Sequence, residues 1–373
     1  MKECIFETEN LVYSYSTKQA KPSLDNVSVE IHKGVRTAIL GANGAGKSTL
    51  FYHFNGIFKP VSGTVKYMGK PLEYTREALT ELRNDISVVV QNPDEQIFSA
   101  TVEEDIAFGP MNMGMERDEI ERRIQESLFK VGMEEYRERP TIQLSYGQRK
   151  RVALAGALAI SPKVLILDEP TAGLDPQMSQ EVIELVEQLC EAGTTVIIST
   201  HDVDLAYAWA EEIHVLIHGD LVYSGEPEPF FDDHEKVAMT GLVMPHTFSV
   251  NSSVQRICGR EVAPYPRTNS QILCKMLPEG SRIGKIRLVP VEDSLPDVPA
   301  EGLPTGIYGA ITRRLFRAAG REPDYHFNAI EYCLMDAVGG KDSVLFCDAP
   351  MKDRVLEVIG RMEAFGKKVE VVM

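Results

Sequence analysis

Residues 41–48 read Gly41-Ala42-Asn43-Gly44-Ala45-Gly46-Lys47-Ser48. Glycines, a lysine and a hydroxyl at these spacings fit the pattern G-x-x-x-x-G-K-[ST]. The glycines let the backbone curl so that successive N–H groups face phosphate oxygens. A strand over residues 37–40 is expected to enter this loop and a helix from Thr49 onward to leave it. The helix N-terminus adds partial positive charge where phosphates would sit. Lys47 is expected to bridge the β- and γ-phosphates of a nucleoside triphosphate. Ser48 is expected to offer its hydroxyl to Mg²⁺, an ion that takes hard oxygen ligands and keeps some waters. Gly41, Ala42, Asn43, Gly44, Ala45, Gly46, Lys47, Ser48 and Thr49 are thus the expected ATP cradle.

Residues 164–169 supply the complement. Val164, Leu165, Ile166 and Leu167 form an apolar run, followed by Asp168 and Glu169. The run predicts a buried parallel strand, and ligands of parallel sheets bind at the carboxyl ends of strands. Neighbouring side chains on a strand point to opposite faces, so the two acids are expected to do different work. Asp168 would hold the Mg²⁺ shell, and Glu169 would polarise the attacking water as general base.

Elements around these groups follow from periodicity. Short runs at residues 5–6, 27–31 and 37–40 predict strands. Ile120, Ile124, Leu128 and Val131 recur at spacings of four and three, which predicts a helix over 117–131. A second helix is predicted over 146–160, and buried strands over 164–167 and 196–199. Strands alternating with helices make this an α/β domain, expected to span residues 1–240. A proline-marked linker is expected over 241–267, then a small α/β module over 268–373. The module shows helices at 328–338 and 351–364 and strands at 343–347 and 368–372. The loop 290–304 carries four prolines and is expected at the surface.

The chain has 373 residues, 43% of them hydrophobic, and a formal charge of −16. That acidity argues against a nucleic-acid partner, which calls for a basic face. Arg149-Lys150-Arg151 is read as a solvated helix face. No apolar stretch reaches the ~18 residues a membrane span needs, and residues 1–10 carry acids rather than a secretory leader. A soluble chain is expected, with any membrane role arising through a partner. None of the six cysteines stands in C-x-x-C spacing, which fits a reducing compartment.

Leu144-Ser145-Tyr146-Gly147-Gln148, placed between the glycine loop and the Asp168-Glu169 strand, resembles the signature of the ABC ATPase family. It departs from the usual Leu-Ser-Gly-Gly-Gln at Tyr146. Further segments resemble family elements in the family's order. Tyr15 resembles the aromatic that stacks on adenine. Gln91 resembles the glutamine that touches Mg²⁺ and the attacking water. Ala172-Gly173-Leu174-Asp175 resembles the D-loop, and His201 the switch histidine near the γ-phosphate. The resemblance covers about residues 3–240. It implies a P-loop nucleotide-binding domain with a helical signature subdomain. It also implies that Ser145, Gly147, Gln148 and Asp175 complete the ATP site of a second copy.

Residues 49–143 show no sustained heptads, there is one glycine loop, and no membrane helices are fused to it. A separate transporter ATPase is therefore expected over a chromosome-maintenance, translation-associated or exporter type; a soluble ABC ATPase outside transport is the other class. The segments 91–98 and 101–110 resemble the energy-coupling-factor group, in which they would receive the transmembrane coupling subunit. Asp94 and Glu95 are candidates to meet arginines there. Residues 201–210 and 225–231 resemble cobalt-type ATPases. The resemblance implies cobalt uptake, with nickel and vitamins as alternatives. It also implies a substrate-binding membrane subunit, a homodimer or paralogue heterodimer, and a peripheral place on the cytoplasmic face of the membrane.

Residues 268–373 carry no recognised motif. Cys258, Cys274, Cys333 and Cys347, with His246 and His326, lie beyond residue 240. They admit a metal-sensing module, but buried thiols in a regulatory or dimer-stabilising module are expected instead.

Overall fold

The computed structural model describes residues 3–16, 21–278, 280–296, 298 and 302–373. Met1 and Lys2 of the acidic start, and Pro299 of the proline-bearing loop, lie outside the described residues. The chain divides into two units, Met1–Val182 with Ala192–Met244, and Ile183–Glu191 with Pro245–Met373.

In the first unit the central sheet has six strands. Their order is Asp220–Gly225, Glu212–Ile217, Thr37–Leu40, Thr195–Thr200, Val164–Asp168 and Ile86–Val89. The last five run parallel, and the first closes as an antiparallel hairpin. Thr37–Leu40, Val164–Asp168 and Thr195–Thr200 are buried along their whole length. That explains their apolar, β-branched composition. A second, antiparallel sheet is built on Cys4–Tyr13, paired with Leu24–Val27, Glu30–His32 and Ser62–Tyr67. The run 27–31, expected as one strand, is thus shared between two. The break falls at Ser28 and Val29, where the Thr8 hydroxyl donates to the Val27 carbonyl and accepts the Val29 N–H, a long-range contact that side-chain alternation does not reveal.

The helix Lys47–Phe54 packs into the core that joins the two sheets. Leu50, Phe51 and Phe54 sit with Ile39, Val164, Ile166 and Ile197 from the central sheet and Ile5, Phe6 and Leu11 from the other. The rings of Phe54 and Phe6 stack at 4.4 Å. Truncating such a phenylalanine to alanine costs about 3–5 kcal/mol, so the helix behind the glycine loop is firmly seated.

A helical arm comprises Val102–Asn112, Arg117–Val131 and Tyr146–Ala159. Thr101 with Glu104, and Ser145 with Gln148, form reciprocal capping boxes at two of its helix starts. Arg117–Val131 stops at Gly132, which sits at φ 65°.

The second unit holds a four-stranded parallel sheet in the order Thr305–Tyr308, Ser343–Asp348, Lys285–Val291, Glu370–Val372. Helices Asn269–Met276, Ala329–Val338 and Lys352–Gly360 cover one face, and Phe316 of Ala310–Ala318 covers the other. Cys274, Cys333 and Cys347 are core residues here. Asp348 accepts bonds from the N–H groups of Ile311 and Thr312 and from the Thr312 hydroxyl, holding the start of Ala310–Ala318. Within the stretch 241–267, expected as a linker, lies the helix His246–Ile257.

The helix Pro176–Glu191 spans the division, and its residues 183–191 group with the second unit. There Glu184, 4% exposed, binds Arg313 and accepts the N–H of Asn328 at 2.9 Å. Burial raises its carboxyl to about 7, against the opposing pull of Arg313 and the Asn328 N–H.

Candidate functional site

A cavity of about 790 Å³ lies in the first unit. Tyr15, residues 42–49, Gln91, Asp168 and Glu169 line it. The glycine loop reaches this shape because Gly46 adopts φ 108°, where a Cβ would meet the Ser23 carbonyl oxygen at 2.7 Å. Lys47 is folded back across the loop and donates to the Gly41 oxygen at 2.6 Å. Its Nζ also lies 3.2 Å from Oε1 of Glu169. Both side chains are buried, at 6% and 3% exposure, so this pair persists with little screening from water.

Asp168 is the last residue of the strand Val164–Asp168 and Glu169 the first beyond it; both line the cavity, so strand alternation does not separate them. Ser199, on the neighbouring strand, donates its hydroxyl to Asp168 Oδ1 and receives the N–H of Glu169 at 3.1 Å. One serine thus fixes both residues. Glu169 takes φ 48°, an uncommon value for a side chain of this size. Its Oε2 lies 2.9 Å from Nδ1 of His201, so its carboxylate spans Lys47 and His201. His201 remains open to solvent, at 58% exposure.

Tyr15 stands on the cavity wall just beyond the strand Cys4–Tyr13, with its hydroxyl 3.0 Å from Thr49 Oγ1. Its ring is largely exposed rather than turned into the core. Lys21, Pro22, Ser23 and His218 also line the cavity. Sequence reasoning passed over them, since no motif marks them and Pro22, Ser23 and His218 arrive through chain reversals.

Ser145, Gly147, Gln148 and Asp175 are not part of that lining. Ser145 and Gln148 cap the helix Tyr146–Ala159, and Asp175 caps the next helix through the Met178 N–H at 2.8 Å. The glycine at 147 lies against the Met178 side chain.

The reading of residues 149–151 as a solvated face is overturned. Lys150 is buried and donates to the carbonyl oxygens of Glu169 and Ala172, each at 2.8 Å. Burial pulls its ammonium down to about 8, opposed by the charges of Glu169 and Asp168. Arg149 pairs with Asp94 at 2.7 Å, and Arg151 binds Glu181. Asp94, a candidate for a partner's arginines, thus already has one from its own chain.

Among the described residues, no three or more His, Cys, Asp or Glu side chains are placed to hold a metal ion. No helix among them is long and apolar enough to cross a membrane.

The family described as ABC transporter matches residues 24–172. The energy-coupling factor transporter ATP-binding protein EcfA of Methanocaldococcus jannaschii is 46% identical over 241 residues, covering 65% of this chain and 86% of that protein. EcfA2 of Methanospirillum hungatei is 36% identical over 371 residues, covering 95% and 92%, so the match runs through both units. Among solved structures, CbiO1 of Clostridium perfringens, part of the ABC transporter complex CbiONQ, is 42% identical with a TM-score of 0.57. That likeness covers 69% of this chain and 98% of CbiO1.

Proposed function

The chain belongs to the energy-coupling factor transporter ATP-binding proteins, ATPases that drive transport, and from that premise we propose that it energises cobalt uptake through separate membrane subunits. The observation that carries the catalytic part is the Glu169 carboxylate, held between Lys47 and His201 on the wall of one cavity. With ATP bound, Lys47 turns from Glu169 and the loop carbonyls to the β- and γ-phosphates, where opposite charge is greater. Glu169, released from Lys47 and still oriented by His201, takes up the attacking water as general base. Tyr15 stacks on adenine, and residues 41–49 wrap the phosphates through backbone N–H groups.

The Ser48 hydroxyl, the Gln91 amide and the Asp168 carboxylate bring hard oxygen donors to the same cavity, a set that suits Mg²⁺. These three would hold it, with Asp168 kept in place by Ser199. Bound there, Mg²⁺ supplies charge neutralisation on the phosphate oxygens. Gln91 also orients the water.

Ser145, Gly147, Gln148 and Asp175, all outside this cavity, serve the ATP held by a second copy. ATP then joins two subunits, and loss of the γ-phosphate loosens them. A transmembrane coupling subunit converts that motion, and a second membrane subunit binds the substrate. The chain works as a peripheral component at the cytoplasmic membrane face.

Cobalt is supported by the likeness of residues 201–210 and 225–231 to cobalt-type ATPases and by the match to CbiO1. Radiolabelled cobalt uptake in cells carrying the wild type or Lys47→Ala tests this, with nickel or a vitamin as competitor. Uptake that falls with Lys47→Ala and yields only to metals supports the reading. Cobalt uptake indifferent to Lys47 refutes the cobalt assignment.

A further inference from the structure

Tyr146 occupies the position where the signature usually has a glycine, and its side chain has work that glycine could not do. It is the first residue of the helix Tyr146–Ala159 and is half-buried. Its hydroxyl donates to the carbonyl oxygen of Gln91, at 3.3 Å. Its ring edge lies against Gly173 so closely that a Cβ there would sit 2.8 Å from Tyr146 Cε1. Gly173 also holds φ 75°, which suits a residue without a side chain. One turn along the helix, the Lys150 ammonium stands 6.0 Å from the ring centroid and grips the carbonyl oxygens of Glu169 and Ala172.

One helix start is therefore tied to three segments. Tyr146 reaches the Gln91 segment and the turn before Asp175, while Lys150 reaches the backbone of the proposed general base. Ser145 and Gly147 flank Tyr146 on the same helix start. The contact with Gln91 thus ends on the same helix start as Ser145 and Gly147.

We infer that Tyr146 is a positioning residue that links Gln91 in its own ATP site to the signature helix and the Gly173 turn. The inference rests on the catalytic reading above and adds a residue outside the lining of its own ATP cavity.

The test uses the full chain as wild type, Tyr146→Phe, Tyr146→Gly and Lys47→Ala, reading kcat, KM for ATP and the thermal midpoint. Tyr146→Phe keeps the ring and loses only the bond to Gln91. Its kcat is expected to fall about 2- to 10-fold, the span of a single net hydrogen bond. KM should stay at the wild-type value because the ATP cradle is untouched, and the thermal midpoint should fall by no more than the few degrees a single hydrogen bond accounts for. Tyr146→Gly, which also loses the ring contact, should lose more in kcat with KM again unchanged. Wild-type kcat in Tyr146→Phe, or a loss that appears in KM or in the thermal midpoint instead, overturns the assignment of Tyr146. If Lys47→Ala is inactive in that same experiment, the catalytic reading stands and only this inference falls. If Lys47→Ala hydrolyses ATP at the wild-type rate, both fall together.

Discussion

Nδ1 of His201 lies 2.9 Å from Oε2 of Glu169, while Oε1 of the same carboxylate faces Lys47 at 3.2 Å. The two oxygens are thus assigned to different partners. When Lys47 turns to phosphate, His201 is the contact left to aim the carboxylate. His201→Ala should lower kcat at least about 100-fold, the lower bound for loss of oriented proton transfer. KM for ATP should change little, since His201 is not among the residues lining the cavity. Steady-state ATPase kinetics check this. A large rise in KM with kcat preserved would assign His201 to binding instead.

Glu184 predicts a pH-dependent stability in the second unit. Its carboxyl is raised from 4.5 to about 7, so the folded form holds the proton more tightly than the unfolded form. The resulting stabilisation is fully present below about pH 4.5 and is lost as pH rises through about 7. A shift of this size corresponds to about 3 kcal/mol. Glu184→Gln still accepts the Asn328 N–H but cannot ionise. Denaturant unfolding between pH 5 and 8 should show a fall in the wild type that the variant lacks. Parallel curves for the two proteins would count against the raised carboxyl.

Three cysteines of the second unit, Cys274, Cys333 and Cys347, are core residues. Burial pushes the Cys333 and Cys347 thiols up to about 12 and raises Cys274 as well, while Cys258 is exposed. A thiol reagent at pH 8 should label Cys258 in the native chain. It should reach Cys274, Cys333 and Cys347 only in denaturant, because the thiolate is the reactive form. Calorimetric titration of the full chain without nucleotide should show no micromolar cobalt or nickel binding. Native labelling of Cys333 or Cys347, or micromolar metal binding, would revive the metal-sensing alternative.

Parts of this architecture were legible because local signals and tertiary demands agree. The helix Arg117–Val131 follows from apolar residues at spacings of four and three. The strand Val164–Asp168 follows from an apolar run that ends in two acids, and Thr37–Leu40 from a short β-branched and apolar run that enters the glycine loop. His246–Ile257 was missed because its buried face, Phe248, Asn251, Ser252 and Gln255, has helical spacing but mostly polar types. Hydrophobic periodicity is silent there. In the site, the residue types of the phosphate loop and the Asp168-Glu169 pair could be read directly. The burial of Lys150 could not, since its partners are main-chain oxygens that every sequence possesses. Glu184 was equally hidden. Its partners, Arg313 and Asn328, come from more than 120 positions away in the chain, and only the tertiary fold places them beside it.

In the proposed mechanism, ATP joins two copies through the cavity that holds Glu169 on one side and the signature helix on the other. Glu169→Gln keeps the size of the side chain and its contact with His201 while removing the general base. Light scattering of this variant at saturating ATP and Mg²⁺ should give twice the monomer mass, with hydrolysis reduced at least about 100-fold. Persistent monomers under those conditions would contradict the shared site.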